Sequence, residues 1–325
     1  MPPPAPPALS VILLAPLDVA RIQKTIRHLR AQMRANEIEL VLVTPQRALL
    51  EETARAWREF HSVQIVAVGQ ITSVSRAKIQ AVAASHAPFI AFAEDHAFPS
   101  PNWAEALLNA HAQRYAAVSV AMRNANPSSI SRADFILNFG QWAEPVTSGV
   151  KPMLPGHNTS YTRAVLDTHG AQLDAKLDSE VVFQLELTRR GELLWLENAA
   201  LLAHLNFSMW RPFFIHKFLG GRIFGARRAE QNKWRAARRM VYALSAPLIP
   251  FVRLKKMLPD LQRTNAFVPF DAKFVLALAL GLATHALGEA IGYAFGIGDA
   301  REQYAPLELQ RADQLRAEER ELAFE

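Results

Sequence analysis

Cysteine is absent from all 325 residues, which excludes a disulfide framework and thiolate metal sites. Any bound metal must then be held by carboxylate, imidazole, ligand oxygens or water. The first eight residues lack both a basic stretch and an apolar run, and five of them are proline. They do not read as a signal peptide, so the expectation is a disordered Pro-rich tail, residues 1–8, on a chain whose catalytic part stays cytoplasmic. The Asn-x-Ser/Thr matches at Asn158 and Asn206 matter only in a secretory lumen and are assigned no glycans. Acidic residues are almost missing from residues 211–256, where twelve Lys/Arg face one acid, Glu230. This local balance of +11, in a chain of net +6, leaves −5 for the remainder. A basic block interleaved with Phe213, Phe218, Phe224, Trp234 and Tyr242 suits an anionic lipid surface or nucleic-acid phosphates. No nucleic-acid-binding motif accompanies it, and long apolar segments follow, so an anionic membrane surface is expected as the partner and nucleic acid is not.

At 50% hydrophobic content the chain can bury an ordinary core. Residues 9–15 (LSVILLA), 38–44 (IELVLVT), 63–68 (VQIVAV) and 88–93 (PFIAFA) are short apolar runs that read as strands. Helical patterns over residues 18–33, 45–60 and 74–85 separate them. This alternation predicts an α/β fold, a mainly parallel sheet flanked by helices, with ligands at the carboxyl ends of the strands. A helix at 103–113 and a strand at 116–122 follow, then a proline-rich stretch, 124–155, expected to be a mobile lid. Helices at 163–168 and 179–190, a strand at 193–196 and an apolar piece ending at His204 complete this part.

Polar residues gather where such a fold binds ligands. Glu94-Asp95-His96 directly follows the fourth strand, and carboxylate with imidazole suits Mn²⁺ or Mg²⁺ bridged to phosphates; the same triplet also reads as a solvated turn. Arg76 and Lys78 open the helix before that strand, where a diphosphate or plain solvent would meet them. Asp18 ends the first strand's turn and also suits a helix N-cap. Gly156-His157-Asn158 makes a turn before a helix that Thr162 can cap. Asp178 and Glu180 lie in a first helical turn, which the helix dipole favours on its own account. His204 is a lone imidazole on an apolar strand.

Taken in order, these segments resemble the family 2 glycosyltransferases. The triplet stands where that family reads Asp-Asp-Asp or Asp-x-Asp, and residues 154–163 look like its Gly-x-Asn-x-x-x-x-Arg segment. Residues 177–191 resemble its Glu-Asp-x-x-Leu…Arg-x-x-Gly stretch. The resemblance covers residues 9–206 and implies a GT-A nucleotide-sugar-binding fold carrying an inverting, metal-assisted sugar transfer. It implies donor contacts at Asp18, Arg76, Lys78, Glu94, Asp95, Gly156, His157 and Asn158. It also implies metal contacts at Asp95, His96 and His204, and a catalytic base at Glu180, with Asp178 one position off in register. The departures, His96 in the triplet and Ser179-Glu180 in place of Glu-Asp, keep open a nucleotide-sugar-binding homologue without catalysis; more distantly, the basic block allows a nucleic-acid-binding α/β protein.

Residues 207–300 are expected to form a basic, apolar helical region that associates with the cytoplasmic face of a membrane, peripherally or by a single span. The run 274–298 is long enough to cross a bilayer but contains His285 and Glu289. Gly288, Gly292 and Gly296 recur every fourth residue along it, a smooth stripe suited to close helix packing. A charged helical tail, 301–325, follows. The expected acceptor is a glycan or a lipid-linked molecule.

Overall fold

The computed structural model describes residues 5–15, 19–265 and 269–324. Asp18 and the first half of the Pro-rich tail lie outside the described residues. Strand β1 (Leu9–Leu14) leads into helix α1 (Val19–Arg30), then β2 (Ile38–Thr44), the short α2 (Glu51–Ala54), β3 (Ser62–Ala67), α3 (Val74–Ala84) and β4 (Phe89–Ala93). Next come β5 (Ala97–Pro99), α4 (Trp103–His111), β6 (Ala117–Asn124), α5 (Ser129–Phe139), β7 (Gly149–Val150) and β8 (Ser160–Thr162). Helices α6 (Arg163–Asp167), α7 (Leu173–Leu177) and α8 (Glu180–Arg189) precede β9 (Leu194–His204). Five further helices end the chain: α9 (Trp210–Gln231), α10 (Ala236–Leu244), α11 (Ile249–Thr264), α12 (Ala272–Phe295) and α13 (Ala300–Leu309); a last turn, α14 (Ala317–Arg320), follows.

The sheet runs β3-β2-β1-β4-β8-β6-β9-β5, with β7 beside β9. Strands β1 to β4 pair in parallel, as do β6 and β9, while β8 enters antiparallel between β4 and β6. Every side chain of β1 and β2 is buried, as a strand covered by helices on both faces requires, which is why those segments read as unbroken apolar runs. This is a mixed α/β fold with a C-terminal helical region.

Two expectations change. The proline-rich stretch expected as a mobile lid contains α5, which is capped by the Ser128 hydroxyl and buries Ile130, Ala133, Phe135 and Ile136. Its helical period was hidden between prolines. After Pro45 the helix is only the four residues of α2, preceded by a 3-10 turn, Arg47–Leu49. The charged tail folds back onto the α/β part: Glu319 accepts from the Ser128 backbone and from Asn126, and Lys24 donates to the Leu322 carbonyl.

The glycines of α9 and α12 set the packing of the helical region. A Cβ on Gly288 would lie 2.1 Å from the Phe218 carbonyl oxygen, and one on Gly292 would lie 2.2 Å from that of Arg222. On the facing helix, a Cβ on Gly221 would lie 2.2 Å from the His285 carbonyl. The two helices therefore touch backbone to backbone, a distance only glycine permits. Gly296 belongs to another device: it ends α12 with φ +81°. Helix α12 also packs on α5, and one continuous core runs from β1 to α13.

Candidate active site

A cavity of about 860 Å³ opens between the strand ends and the helical region. Its inner wall carries Glu94 after β4, His204 at the end of β9, His157 and Glu180, with Glu308 and Arg311 contributed by α13 and the turn after it. Its outer wall is apolar, with Leu248 and Val252 largely exposed beside Arg253 and Lys256.

The triplet folds so that Glu94 and His96 meet His204. The Glu94 Oε2 lies 3.2 Å from His204 Nε2 and 3.7 Å from His96 Nε2, and the three donor atoms fall within 4.8 Å of one another. Asp95 takes a different place from the one expected. Its carboxylate accepts from His96 Nδ1 at 2.6 Å, so it orients the imidazole, and Glu94 is the carboxylate facing both rings. A side chain directly after Glu94 cannot share its direction at the end of an extended segment.

Hydrogen bonding fixes the tautomers. The Asn206 amide donates to Asn124 Oδ1 and to the His204 carbonyl, so its oxygen must accept from His204 Nδ1, at 3.1 Å. In the neutral rings the Nε2 lone pairs then face Glu94, and among the described residues His96 Nε2 is buried without a hydrogen-bond partner. Burial pushes the His204 imidazole below its ordinary range, towards this neutral form. Two imidazole lone pairs and a carboxylate converging in a buried place repel one another unless a cation sits among them, so the donor set fits a divalent metal. The Asn158 amide steadies Glu94 by donating to Oε2 at 2.7 Å.

Glu180, at the start of α8, is buried. Its Oε1 accepts from Lys78 Nζ at 2.9 Å and its Oε2 from the Tyr161 hydroxyl at 3.0 Å. Burial, then the Glu180 charge, pushes the Tyr161 phenol well above its usual range, so the phenol remains a donor. Lys78, expected at a diphosphate, is instead committed to Glu180 and to His157 Nδ1 at 3.2 Å. Arg76 is exposed and pairs with Asp174 at 3.5 Å, away from the cavity wall, because two residues along a helix rotate a side chain by about 200°, so Arg76 and Lys78 point to opposite sides. Asp178 is held by Arg227, Arg301 and Ser75, which tie α3 and the C-terminal helices to the start of α8. Gly156 and His157 line the cavity, and His157 sits at φ +66°, a backbone region costing a non-glycine residue of order 1–3 kcal/mol.

The helical region contributes residues no motif pointed to. Lys217 on α9 pairs with Asp134 on α5 at 2.5 Å, both fully buried. His216 meets Glu308 at 2.9 Å, and Arg311 meets Glu308 at the same distance. The only signal for these lay in charged residues inside otherwise apolar helices. Trp234 and Tyr242 stack with centroids 4.2 Å apart, and the guanidinium groups of Arg228 and Arg238 lie over both rings, so these aromatics of the basic block are used within the fold.

Residues 10–170 match the family described as glycosyl transferase family 2. A solved structure of GalNAc-T7 with UDP, GalNAc and Mn2+ is similar at 10% identity and a TM-score of 0.48, over 69% of this chain and 48% of that one. The chain thus spans about half the length of that protein. No curated protein matches the chain.

Proposed function

Given that the chain belongs to the family 2 glycosyltransferases, we propose that it transfers a sugar from a nucleoside-diphosphate sugar to an acceptor hydroxyl with inversion, at the cytoplasmic face of a membrane. The observation that carries the reading is Glu180, a buried carboxylate on the wall of the same cavity as Glu94 and His204. Glu94, His96 and His204 would hold the divalent cation, Mn²⁺ or Mg²⁺, with Asp95 and Asn206 orienting the imidazoles. When bound, that cation supplies positive charge against the diphosphate leaving group. Glu180 takes the proton of the acceptor hydroxyl as its oxygen attacks the anomeric carbon. Lys78 and Tyr161 fix the carboxylate's direction and leave further lone pairs on its oxygens for that proton. A single displacement inverts the centre. Proton NMR of the product should show the anomeric configuration opposite to the donor's; retention would contradict a single displacement.

The outer surface supports a membrane-bound, lipid-linked acceptor. Leu244 on α10, Leu248 in the 3-10 turn after it and Phe251 on α11 are 76%, 62% and 71% exposed, and Arg235, Arg238, Lys255 and Lys256 lie along the same segment. Helix α12 is long and apolar enough to cross a bilayer, but 44% of its apolar window is buried in the fold and its Glu289 pairs with His285 at 3.1 Å. Peripheral attachment through α10 and α11 is the reading we adopt. Each Lys/Arg near an anionic surface contributes about 1 kcal/mol, so binding to phosphatidylserine vesicles should weaken steeply as salt rises. Attachment that resists both salt and carbonate washing would point to a span by α12 instead.

A further inference from the structure

The geometry points to Glu308, from the C-terminal helix α13, as a fourth protein ligand of the divalent cation held by Glu94, His96 and His204. This rests on the metal reading above and adds to it a residue far outside the matched family segment. Glu308 Oε2 lies 4.0 Å from His96 Nε2, the buried nitrogen that has no hydrogen-bond partner among the described residues. Two ligands each about 2.1 Å from one ion can stand at most about 4.2 Å apart, so this pair, like Glu94 and His96 at 3.7 Å, can share a cation, while Glu308 stands outside the 4.8 Å cluster of Glu94, His96 and His204 and its carboxylate must move inward to join them.

The surroundings of Glu308 suit that role. Its Oε1 accepts from Arg311 and faces His216, each at 2.9 Å, which fixes the carboxylate and directs the other oxygen towards His96. The buried carboxylate has a buried counter-ion in Arg311. The guanidinium of Arg311 stacks 3.7 Å from the Phe207 ring, which anchors the turn after α13 against the α/β part. The C-terminal segment thereby brings a ligand to a site whose other members come from β4 and β9, so the cation and the docking of that segment are linked.

The test uses the full chain, freed of metal and titrated with Mn²⁺ by calorimetry. Glu308→Gln keeps the shape and the Arg311 contact but replaces the anionic oxygen, and should weaken Mn²⁺ binding at least about tenfold, the lower range for losing even an outer partner of a metal ligand. A charge effect alone would give a similar loss, because Arg311 would stand uncompensated beside the ion. The pair of variants Arg311→Met and Glu308→Gln/Arg311→Met separates the two. A ligand predicts that the double variant still binds at least tenfold more weakly than Arg311→Met; equal affinity of those two overturns the assignment, as does a Glu308→Gln affinity within threefold of wild type. Water-proton relaxation on wild type needs no variant: six-coordinate Mn²⁺ with four protein ligands keeps two waters, and three waters would overturn it. Wild type that binds no Mn²⁺ overturns the metal reading itself, an outcome distinct from weak binding confined to the variants.

Discussion

Glu180→Gln should lower sugar transfer by roughly 10²–10⁴-fold per folded molecule, the range for loss of a general base, while donor affinity barely changes. The amide keeps the carboxylate's shape and can still accept from Tyr161, but it cannot take the acceptor's proton. A second effect travels with the first. Lys78 is as buried as Glu180, and removing one partner of such a pair costs about 3–5 kcal/mol because the other charge is left uncompensated. The variant should therefore melt earlier, and rates belong well below its transition. Adding Lys78→Met should recover much of the stability without restoring turnover, since that change removes the stranded ammonium and not the missing base. Transfer by Glu180→Gln within tenfold of wild type would remove Glu180 from the mechanism. Asp178→Asn is the companion: with its carboxylate held by Arg227 and Arg301, it should lose stability first and turnover per folded molecule least.

Lys217→Met should destabilise the protein by about 3–5 kcal/mol, seen as a lower denaturant midpoint. The ammonium is the counter-ion of Asp134, and without it that carboxylate keeps only neutral donors, the Phe207 backbone at 3.1 Å and the Asn138 amide at 3.3 Å. Burial pushes the Asp134 carboxyl up, but Lys217, then His216 and Arg311, outweigh it and hold it below the usual range. In wild type this contribution is present above the ordinary aspartate range and is lost as pH falls through the folded value. In the variant the balance reverses: burial dominates, the carboxyl rises, and stability is lost as pH rises. The deficit of Lys217→Met should therefore narrow on acidification. Asp134→Asn added to Lys217→Met should recover most of it. A midpoint within 1 kcal/mol of wild type would mean that water reaches this pair.

The α/β core was readable because its signals are local. Unbroken apolar strands such as β1 and β2 and the alternation with helices name a covered parallel sheet, and the polar triplet at the end of β4 lies where such sheets bind ligands. What stayed hidden depends on direction and distance. Sequence placed Asp95 and His96 side by side as ligands, but only the fold shows the Asp95 carboxylate turned onto His96 and Glu94 turned to both rings. Lys78 read as a phosphate contact because it opens a helix, while its partner Glu180 lies 102 residues away. Glu308 and Arg311 carried no motif, and only the return of α13 to the strand ends brings them to the cavity. The glycines were legible as a smooth stripe; that the stripe meets Gly221 and Gly225 on α9, and not a bilayer neighbour, was not.

The central claim, a nucleotide-sugar site completed by a divalent cation, is tested most directly by the melting temperature of the wild-type chain against a panel of nucleotide sugars, each with and without Mn²⁺. A ligand that binds only the folded state stabilises it by RT ln(1 + [L]/Kd), about 2.7 kcal/mol at a hundredfold excess over Kd. The account predicts that one donor raises the transition and that Mn²⁺ enlarges the rise beyond the effect of the metal alone. No shift with any nucleotide sugar, in the presence or absence of Mn²⁺, would contradict it.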